Sequence, residues 1–300
     1  MADLELHVDS SSLSNFADDT QSIIIENSKE ELIKTVKEES GKVLQFFREN
    51  NLVNNPDKAA LLFNTKGKAG VITIDNIGGE KVISKNSDKL LGLHVSAKLD
   101  WNTHVEQLCS TLKQRLGLLR RIKYKIPRNK LQIIADAIFN SKIRYGVAVY
   151  LNPRLNEGDP ISSNIQRLQV LQNEMLRLVE GKKKSDCTNM ARLREEKHMM
   201  SVNQMTCYHV LIETFNIVNY KSVETLYNKM MPQETVLRLT RSTDRGDLVV
   251  PKKPKDSCMG FSWTAPKLWN KLPHNIRNTK SPYSFKRFVK KWIWDRNIPV

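Results

Sequence analysis

The sequence predicts an α+β chain in which short strands are followed by long helices. The strand prediction rests on a β-branched isoleucine run at residues 23–25 that follows a turn-like segment. The helix prediction rests on a stripe of apolar residues from Trp101 to Leu119, spaced three to four residues apart. The 300 residues include 12 glycines and 11 prolines, a usage that favours long helices over a loop-rich β fold.

The first hundred residues are expected to contain a hairpin, one helix and several short strands. The hairpin covers residues 10–26, and its isoleucine run is expected to be a buried strand. Ser28 and Glu31 have the spacing of a capping box, which predicts a helix that ends near Asn50. The other expected strands are Leu61–Phe63, Val71–Ile74 and Lys81–Ser84.

Beyond the helix that starts near Trp101, the apolar spacing predicts four further helical regions. They begin at Pro127, near Ile165, near residue 202 and at Tyr283, and the second of them ends at Gly181. A polar linker is expected at Lys182–Thr188 and a loop at 240–260.

The charge of the chain is large and unevenly distributed. Lys and Arg number 48 against 32 Asp and Glu, a net charge of +16. Residues 1–57 carry 5 basic and 12 acidic side chains, whereas residues 58–300 carry 43 basic and 20 acidic ones. The basic part indicates a polyanionic partner.

No apolar run is long enough for a membrane helix and no signal peptide is present, so we expect no membrane partner and an intracellular location, nuclear or cytoplasmic.

Two adjacent carboxylates, Asp18 and Asp19, lie at the expected tip of the first hairpin. Neighbouring negative charges are unfavourable unless a positive charge lies beside them, and Mg²⁺ prefers carboxylate oxygens. In phosphoryl or nucleotidyl transfer two such ions bind the attacking and leaving oxygens. Aspartate is also common at turns because it bonds its own backbone, so the pair alone leaves both interpretations open.

The tetrapeptide Phe16-Ala17-Asp18-Asp19 resembles the aromatic-Ala-Asp-Asp motif of reverse transcriptases. Further segments follow in the order of that family: Leu52 to Lys58 as a Leu-x-x-Asn-Pro-x-Lys pattern, Lys89–Leu93 as a primer grip, Leu99–His104 as the start of a thumb, Ser141–Gly146 as its end, and Trp269-Asn270 with Leu272-Pro273 in the tail. The set is similar to jockey-like non-LTR (LINE-type) retrotransposon polymerases.

This resemblance implies an RNA-directed DNA polymerase, a nucleotidyltransferase with a two-metal mechanism. It implies an RNA template, a DNA primer and deoxynucleotide triphosphates as partners, and Mg²⁺ as cofactor, with Asp18 and Asp19 as catalytic metal ligands. The three expected regions are the C-terminal part of a palm (1–97), a helical thumb (98–181) and a helical C-terminal region with basic loops (182–300).

The resemblance also identifies what these residues lack. The family has a third catalytic aspartate and a Gly-x-Pro-Gln-Gly segment before the hairpin, and neither is in the sequence. Two carboxylates without the third ligand are expected to hold Mg²⁺ poorly. We therefore expect a truncated polymerase that is inactive alone. The alternative is a non-enzymatic nucleic-acid-binding remnant that uses the basic thumb.

Several other residues have two interpretations. By resemblance, Lys58 lies near the triphosphate and assists departure of pyrophosphate; otherwise it is a solvated corner lysine. Leu91 and Gly92 belong to a strand that backs the primer end, or to a turn into a core strand. Four tryptophans either stack on bases or, as is more common for aromatic residues, belong to the core: Trp263, Trp269, Trp292 and Trp294.

The segment 107–135, here called the acid-free segment, contains no acidic residue. Its basic residues are Lys113, Arg115, Arg120, Arg121, Lys123, Lys125, Arg128 and Lys130. A charge run is commonly a solvated face, but a polymerase thumb holds the template–primer backbone, so phosphate contact is expected here. Short runs at Lys182–Lys184 and Lys252–Lys255 are expected to be nuclear-import signals or phosphate contacts.

The four cysteines do not form a recognisable metal motif. The gaps between Cys187, His198, Cys207 and His209 fit no zinc-finger spacing. Buried, reduced thiols are therefore expected rather than a metal site.

Overall fold

A computed structural model describes most of the chain. The described residues are 2–17, 19–53, 55, 59–65, 68–69, 71–77, 80–231, 246–251, 260–295 and 298. The fold is α+β: mostly helical, with small antiparallel strand pairs. It forms two compact units, Met1–Leu99 and Asp100–Val300. The finer boundary expected at residue 181 stays a prediction.

The first unit begins with a short 3-10 helix, Ala2–His7, and the predicted hairpin. Strands β1 (Ser12–Phe16) and β2 (Asp19–Ile23) pair in antiparallel fashion, with Phe16 opposite Asp19. The hairpin prediction is confirmed, but the expected burial of the isoleucine run is wrong. Ile23 is 61% exposed and Ile25 is 85% exposed. A two-stranded hairpin has two faces, and β-branched residues favour a strand without specifying which face another layer covers.

Helix α1 (Lys29–Glu49) follows as predicted, with Ser28 as its N-cap. The Ser28 hydroxyl accepts a hydrogen bond from the Glu31 amide at 3.1 Å, which satisfies one of the free N–H groups of the first turn. Val36 of this helix packs with Ile24 and with buried residues of the later strands. The helix therefore supplies one side of the small core of this unit.

The remaining strands of the first unit are short antiparallel pairs. They are β3 (Asn64–Thr65) with β4 (Lys68–Ala69), β5 (Thr73–Ile77) with β6 (Glu80–Ile83), and β7 (Ser87–Leu90) with β8 (Leu93–Ser96). The second predicted hairpin is confirmed as β5–β6. The predicted strand Leu61–Phe63 is wrong, because only Leu62 forms a bridge there, to Lys85. Phe63 is nevertheless buried against Ile72 and Ile74, so burial and not strand pairing explains the apolar run.

The second unit is a helical assembly. Its helices are α2 (Asn102–Ile122), α3 (Arg128–Ala135), α4 (Ser141–Arg144), α5 (Val147–Tyr150), α6 (Ser163–Glu180), α7 (Met190–Glu196), α8 (Val202–Tyr220), α9 (Glu224–Met230), α10 (Phe261–Asn270), α11 (His274–Arg277) and α12 (Pro282–Asp295). A π-helical turn, Asp136–Asn140, joins α3 to α4. None of the helices in the described ranges is long and apolar enough to cross a membrane.

Helix predictions in this unit are largely confirmed. The stripe on α2 is buried from Val105 to Leu119, and α6 ends at Gly181, whose φ of +68° is the left-handed conformation that glycine adopts at low cost. The expected helix at 202–230 is instead two helices. Lys221 has φ +50° and ends α8, so the chain changes direction before α9.

The largest core cluster of this unit centres on aromatic rings from α8, α10 and α12. Phe215 and Phe285 stack with their ring centroids 4.2 Å apart, and Trp269 lies 5.7 Å from Phe285. The prediction of core tryptophans is therefore confirmed for Trp269, and also for Trp292, which is buried in the same cluster. This packing holds α12 against the rest of the unit.

Candidate nucleic-acid interface

The hairpin carboxylates are only partly described. Asp19 begins β2, and its side chain is exposed. Asp18 lies outside the described residues, as does Lys58. Asp19 is therefore the member of the predicted catalytic trio whose placement is defined.

Magnesium needs several oxygen ligands in near-octahedral geometry. Among the residues that the structure describes, no group of three or more His, Cys, Asp and Glu side chains is placed to hold a metal ion. The exposed Asp19 carboxylate does not constitute such a site alone. The described side chains by themselves therefore do not fit a two-metal centre.

Of the two interpretations of the predicted grip residues, the structure shows the turn and not the strand. Leu90 ends β7 and pairs with Leu93 at the start of β8, which leaves Leu91 and Gly92 as a two-residue hairpin turn. Their φ angles are +45° and +86°, as a type I′ turn requires. Gly92 adopts this conformation easily, whereas Leu91 is strained in it. The functional part of the prediction, contact with a primer, stays a prediction.

The acid-free segment spans most of α2, the following turn and α3. One side of α2 is buried through its apolar stripe, whereas Lys113, Arg120 and Arg121 are exposed. Arg115 and Lys123 are half-buried. Beyond α2, the side chains of Tyr124, Lys125, Arg128 and Lys130 are also exposed. The buried stripe thus fixes the helix and leaves a basic surface in contact with solvent.

Two arginines of this segment are engaged by the neighbouring helix α6. Arg120 forms an ion pair with Glu174. The Arg128 guanidinium crosses the end of α6, since a Cβ built on Gly181 would lie 3.1 Å from its Nη2 atom. A positive charge at a helix C-terminus is favourable because it complements the helix dipole. Arg120 therefore stabilises the packing of α2 on α6, and Arg128 stabilises the packing of α3 on α6.

Other cations of the segment remain available for a ligand. In the described part of the chain, Arg121, Lys125 and Lys130 take part in no ion pair within 4 Å. Tyr124 lies between two of the lysines in sequence and is 85% exposed, and the Lys123 ammonium lies 4.7 Å from its ring centroid. The arrangement presents unneutralised positive charge beside an accessible ring, which suits phosphates and an unstacked base.

The π-helical turn between α3 and α4 contains a polar network that sequence spacing did not reveal. Arg144 donates two hydrogen bonds to the Asp136 carboxylate, at 2.9 and 2.5 Å, and Asn140 donates a third at 2.9 Å. Burial would raise the pKa of Asp136, but these bonds and the Arg144 charge outweigh it and lower the pKa. Gln172 of α6 then donates to the Asn140 side chain at 3.3 Å. The π-helical turn thus connects the surface arginine to α6.

His104 and two of the tryptophans lie in surroundings that favour a structural role. His104 is buried with its ring centroid 4.6 Å from that of Tyr150. Trp263 is half-buried, and its ring centroid lies 3.6 Å from the Lys267 ammonium. Trp294 is half-buried beside His198. The base-stacking interpretation therefore has more support at the exposed Tyr124 than at these tryptophans.

The expected burial of the cysteines is confirmed for Cys109 and Cys207 and is wrong for Cys187, which is exposed. Cys258 lies outside the described residues. Burial raises the pKa of Cys207 to about 12, and burial also raises the pKa of Cys109. The thiolate is the reactive form, so the two buried thiols are expected to be inert in the folded protein.

Brief treatment of the native chain with iodoacetamide near neutral pH is therefore expected to alkylate Cys187 and to leave Cys109 and Cys207 unmodified. Peptide mass spectrometry measures the three sites, and the same treatment after denaturation in guanidinium provides the control. Equal modification of Cys207 and Cys187 in the native chain would contradict the placement of Cys207 in the core.

Comparison with known proteins gave no relative: no family model, curated protein or solved structure matched the chain.

Proposed function

We propose that this chain is the nucleic-acid-binding part of an RNA-directed DNA polymerase of the jockey-like non-LTR type, and that it holds a template–primer through the acid-free segment. The observation that carries the proposal concerns Arg121 of α2, Lys125 of the following turn and Lys130 of α3, which are exposed and form no ion pair within 4 Å among the described residues. Phosphate contacts require such cations because they displace the counterions of the nucleic acid. The ordered motifs of the sequence provide the link to the polymerase family.

In this proposal the second unit contributes the thumb and the first unit contributes the palm segment with Asp18 and Asp19. Arg120 and Arg128 hold α2 and α3 against α6, so the neighbouring free cations are presented on a rigid support. Preorganisation of this kind lowers the entropy cost of binding. The substrates of the reaction would be deoxynucleotide triphosphates. Mg²⁺ would be held by Asp18 and Asp19 together with the third carboxylate that the family has.

A second candidate function is nucleic-acid binding without catalysis. It is favoured by a departure from the family pattern, since the 300 residues contain no Gly-x-Pro-Gln-Gly segment. The resemblance assigns that segment to the nucleotide pocket, and positioning of the nucleotide contributes much of the rate in such transfers. Both candidates share the same nucleic-acid surface.

Primer extension separates them. The 300-residue chain, given template–primer, Mg²⁺ and deoxynucleotide triphosphates, is expected to bind the duplex but to add no nucleotide above the level of Asp18→Ala. Gel analysis of a labelled primer measures extension, and anisotropy of the same duplex measures binding. Extension by the unsubstituted chain that Asp18→Ala abolishes would establish a complete catalytic site and exclude the purely binding function. Absence of duplex binding would exclude both candidates.

A further inference from the structure

Helix α12 carries a second basic surface that is separate in sequence from the acid-free segment. Its inner face is buried in the core cluster through Phe285, Val289, Trp292 and Ile293. Its exposed residues are Pro282, Tyr283, Lys286, Arg287, Phe288, Lys290, Lys291 and Asp295. The amphipathic pattern therefore fixes which side of the helix faces solvent, and four of these eight exposed residues are cationic.

Four of these residues form one continuous stripe. Tyr283, Lys286, Arg287 and Lys290 have the i, i+3, i+4, i+7 spacing that places side chains on one helix face. At 1.5 Å per residue the stripe is about 10 Å long. Tyr283 is 76% exposed, so the stripe combines three cations with an accessible aromatic ring. We call these four residues the α12 stripe.

No carboxylate that the structure describes forms a close ion pair with the cations of the stripe, although the Lys290 charge helps to lower the pKa of Asp136. Within the described ranges, Lys286, Arg287 and Lys290 form no ion pair closer than 4 Å. Lys286 and Lys290 are four residues apart, a spacing at which like charges destabilise a helix. The sequence thus carries an unfavourable charge arrangement that a bound anion would relieve.

Arg144 adds to the positive field beside the stripe. Burial and then the charges of Arg144 and Lys286 lower the pKa of His209 on α8, so both cations lie near that ring. Lys290 contributes to the low pKa of Asp136, whose carboxylate already binds Arg144 through two hydrogen bonds. Arg144 and Lys290 therefore share the single negative charge of Asp136. The surface formed by α12 and the end of α4 keeps a net positive charge.

We propose that the α12 stripe is a second nucleic-acid contact and binds single-stranded nucleic acid. Lys286, Arg287 and Lys290 contact successive backbone phosphates, and the Tyr283 ring stacks on a base. A single strand is favoured over a duplex because stacking on a side chain needs a base face that pairing and base stacking leave free. This surface is additional to the duplex grip of the acid-free segment, and the two are tested with separate variants.

The test measures binding of a labelled oligouridine to the full chain by fluorescence anisotropy. The stripe variant is Lys286→Gln/Arg287→Gln/Lys290→Gln. Its matched control, the α1 control, is Lys29→Gln/Lys34→Gln/Lys37→Gln, which removes the same charge from three exposed lysines of α1. We expect the stripe variant to bind on the order of tenfold more weakly at about 0.1 M salt and its salt slope to fall by about 2, since a single strand contributes about 0.7 per phosphate.

The stacking contact has its own pair of variants. Tyr283→Ala is expected to weaken oligouridine binding on the order of tenfold, whereas Tyr283→Phe keeps the ring and is expected to bind as the unsubstituted chain does. Circular dichroism checks that each variant is folded, and because the replaced side chains are exposed, no change is expected there. Equal binding by Tyr283→Ala and Tyr283→Phe would overturn the stacking contact.

The outcomes for this inference and for the proposed function are distinguishable. If the stripe variant binds oligouridine as well as the α1 control does, the α12 proposal is wrong, whatever the duplex shows. The segment variant is Arg121→Gln/Lys125→Gln/Lys130→Gln. If it keeps its affinity for the duplex while the stripe variant loses affinity for oligouridine, the proposed duplex contact of the acid-free segment is wrong and the α12 contact is supported. No oligouridine binding by the unsubstituted chain also overturns the α12 proposal.

Discussion

The segment variant is expected to bind a template–primer duplex on the order of a hundredfold more weakly than the unsubstituted chain at about 0.1 M salt. Each phosphate contact to a duplex contributes about 0.9 to the dependence of log affinity on log salt, so three lost contacts act together. Arg121, Lys125 and Lys130 are chosen because they are exposed and form no ion pair with any residue that the structure describes, whereas Arg120 and Arg128 are engaged by α6. Anisotropy of a labelled duplex provides the measurement.

The α1 control tests whether the loss arises from position or from net charge. It removes the same three positive charges from the acidic first unit and is expected to bind the duplex within about twofold of the unsubstituted chain, because the proposal assigns no phosphate contact to these lysines. A similar loss in the control and in the segment variant would show that overall charge, and not the acid-free segment, determines affinity.

Phe285→Ala is expected to destabilise the second unit by about 3–5 kcal/mol, because it removes a fully buried ring and leaves a cavity. The ring stacks on Phe215 and lies beside Trp269, so its loss weakens the contact that holds α12 to the rest of the unit. Urea unfolding followed by circular dichroism gives the change in the free energy of unfolding.

Phe288 provides a matched comparison within the same helix. It lies three residues further along and is 39% exposed, so Phe288→Ala is expected to change the free energy of unfolding by less than about 1 kcal/mol. Equal destabilisation by the two substitutions would contradict the assignment of Phe285 to the inner face of α12.

Helices were the predictable part of this fold because their signal is local and periodic. The stripe from Trp101 to Leu119 defines both the existence of α2 and its buried side, and Gly181 marks the end of α6 by a conformation that other residues adopt at a cost. The break at Lys221 was not predictable, since lysine carries no preference for the positive φ that ends α8. Tertiary packing imposes that conformation.

The strand region was less predictable because short strands depend on what covers them. The isoleucine run at 23–25 signals extended structure, yet Ile23 and Ile25 are exposed while Ile24 packs on the core. The Leu61–Phe63 run is equally apolar but is buried without forming a paired strand. For Leu91 and Gly92 the sequence left a strand and a turn open, and their positive φ angles make a tight turn. Leucine has no preference for a positive φ, so Leu91 gave no warning of that conformation.

The basic surface was predictable in location but not in detail. Absence of acids over 107–135 is visible in the sequence, whereas the ion pair of Arg120 with Glu174 joins residues 54 positions apart and appears only in the fold. The link from Arg144 through Asp136 and Asn140 to Gln172 is non-local in the same way. The α12 stripe had a sequence signal, since its four residues already show helical spacing, but its exposed face depends on Phe285 being buried.

The salt dependence of duplex binding shows directly whether Arg121, Lys125 and Lys130 contact phosphates. For the unsubstituted chain and the segment variant, log affinity for the template–primer duplex is plotted against log salt concentration. We expect the slope for the segment variant to be smaller in magnitude by about 2.7, corresponding to three phosphate contacts at about 0.9 each. Parallel lines for the two proteins would contradict the account, because they would show that Arg121, Lys125 and Lys130 release no counterions when the duplex binds.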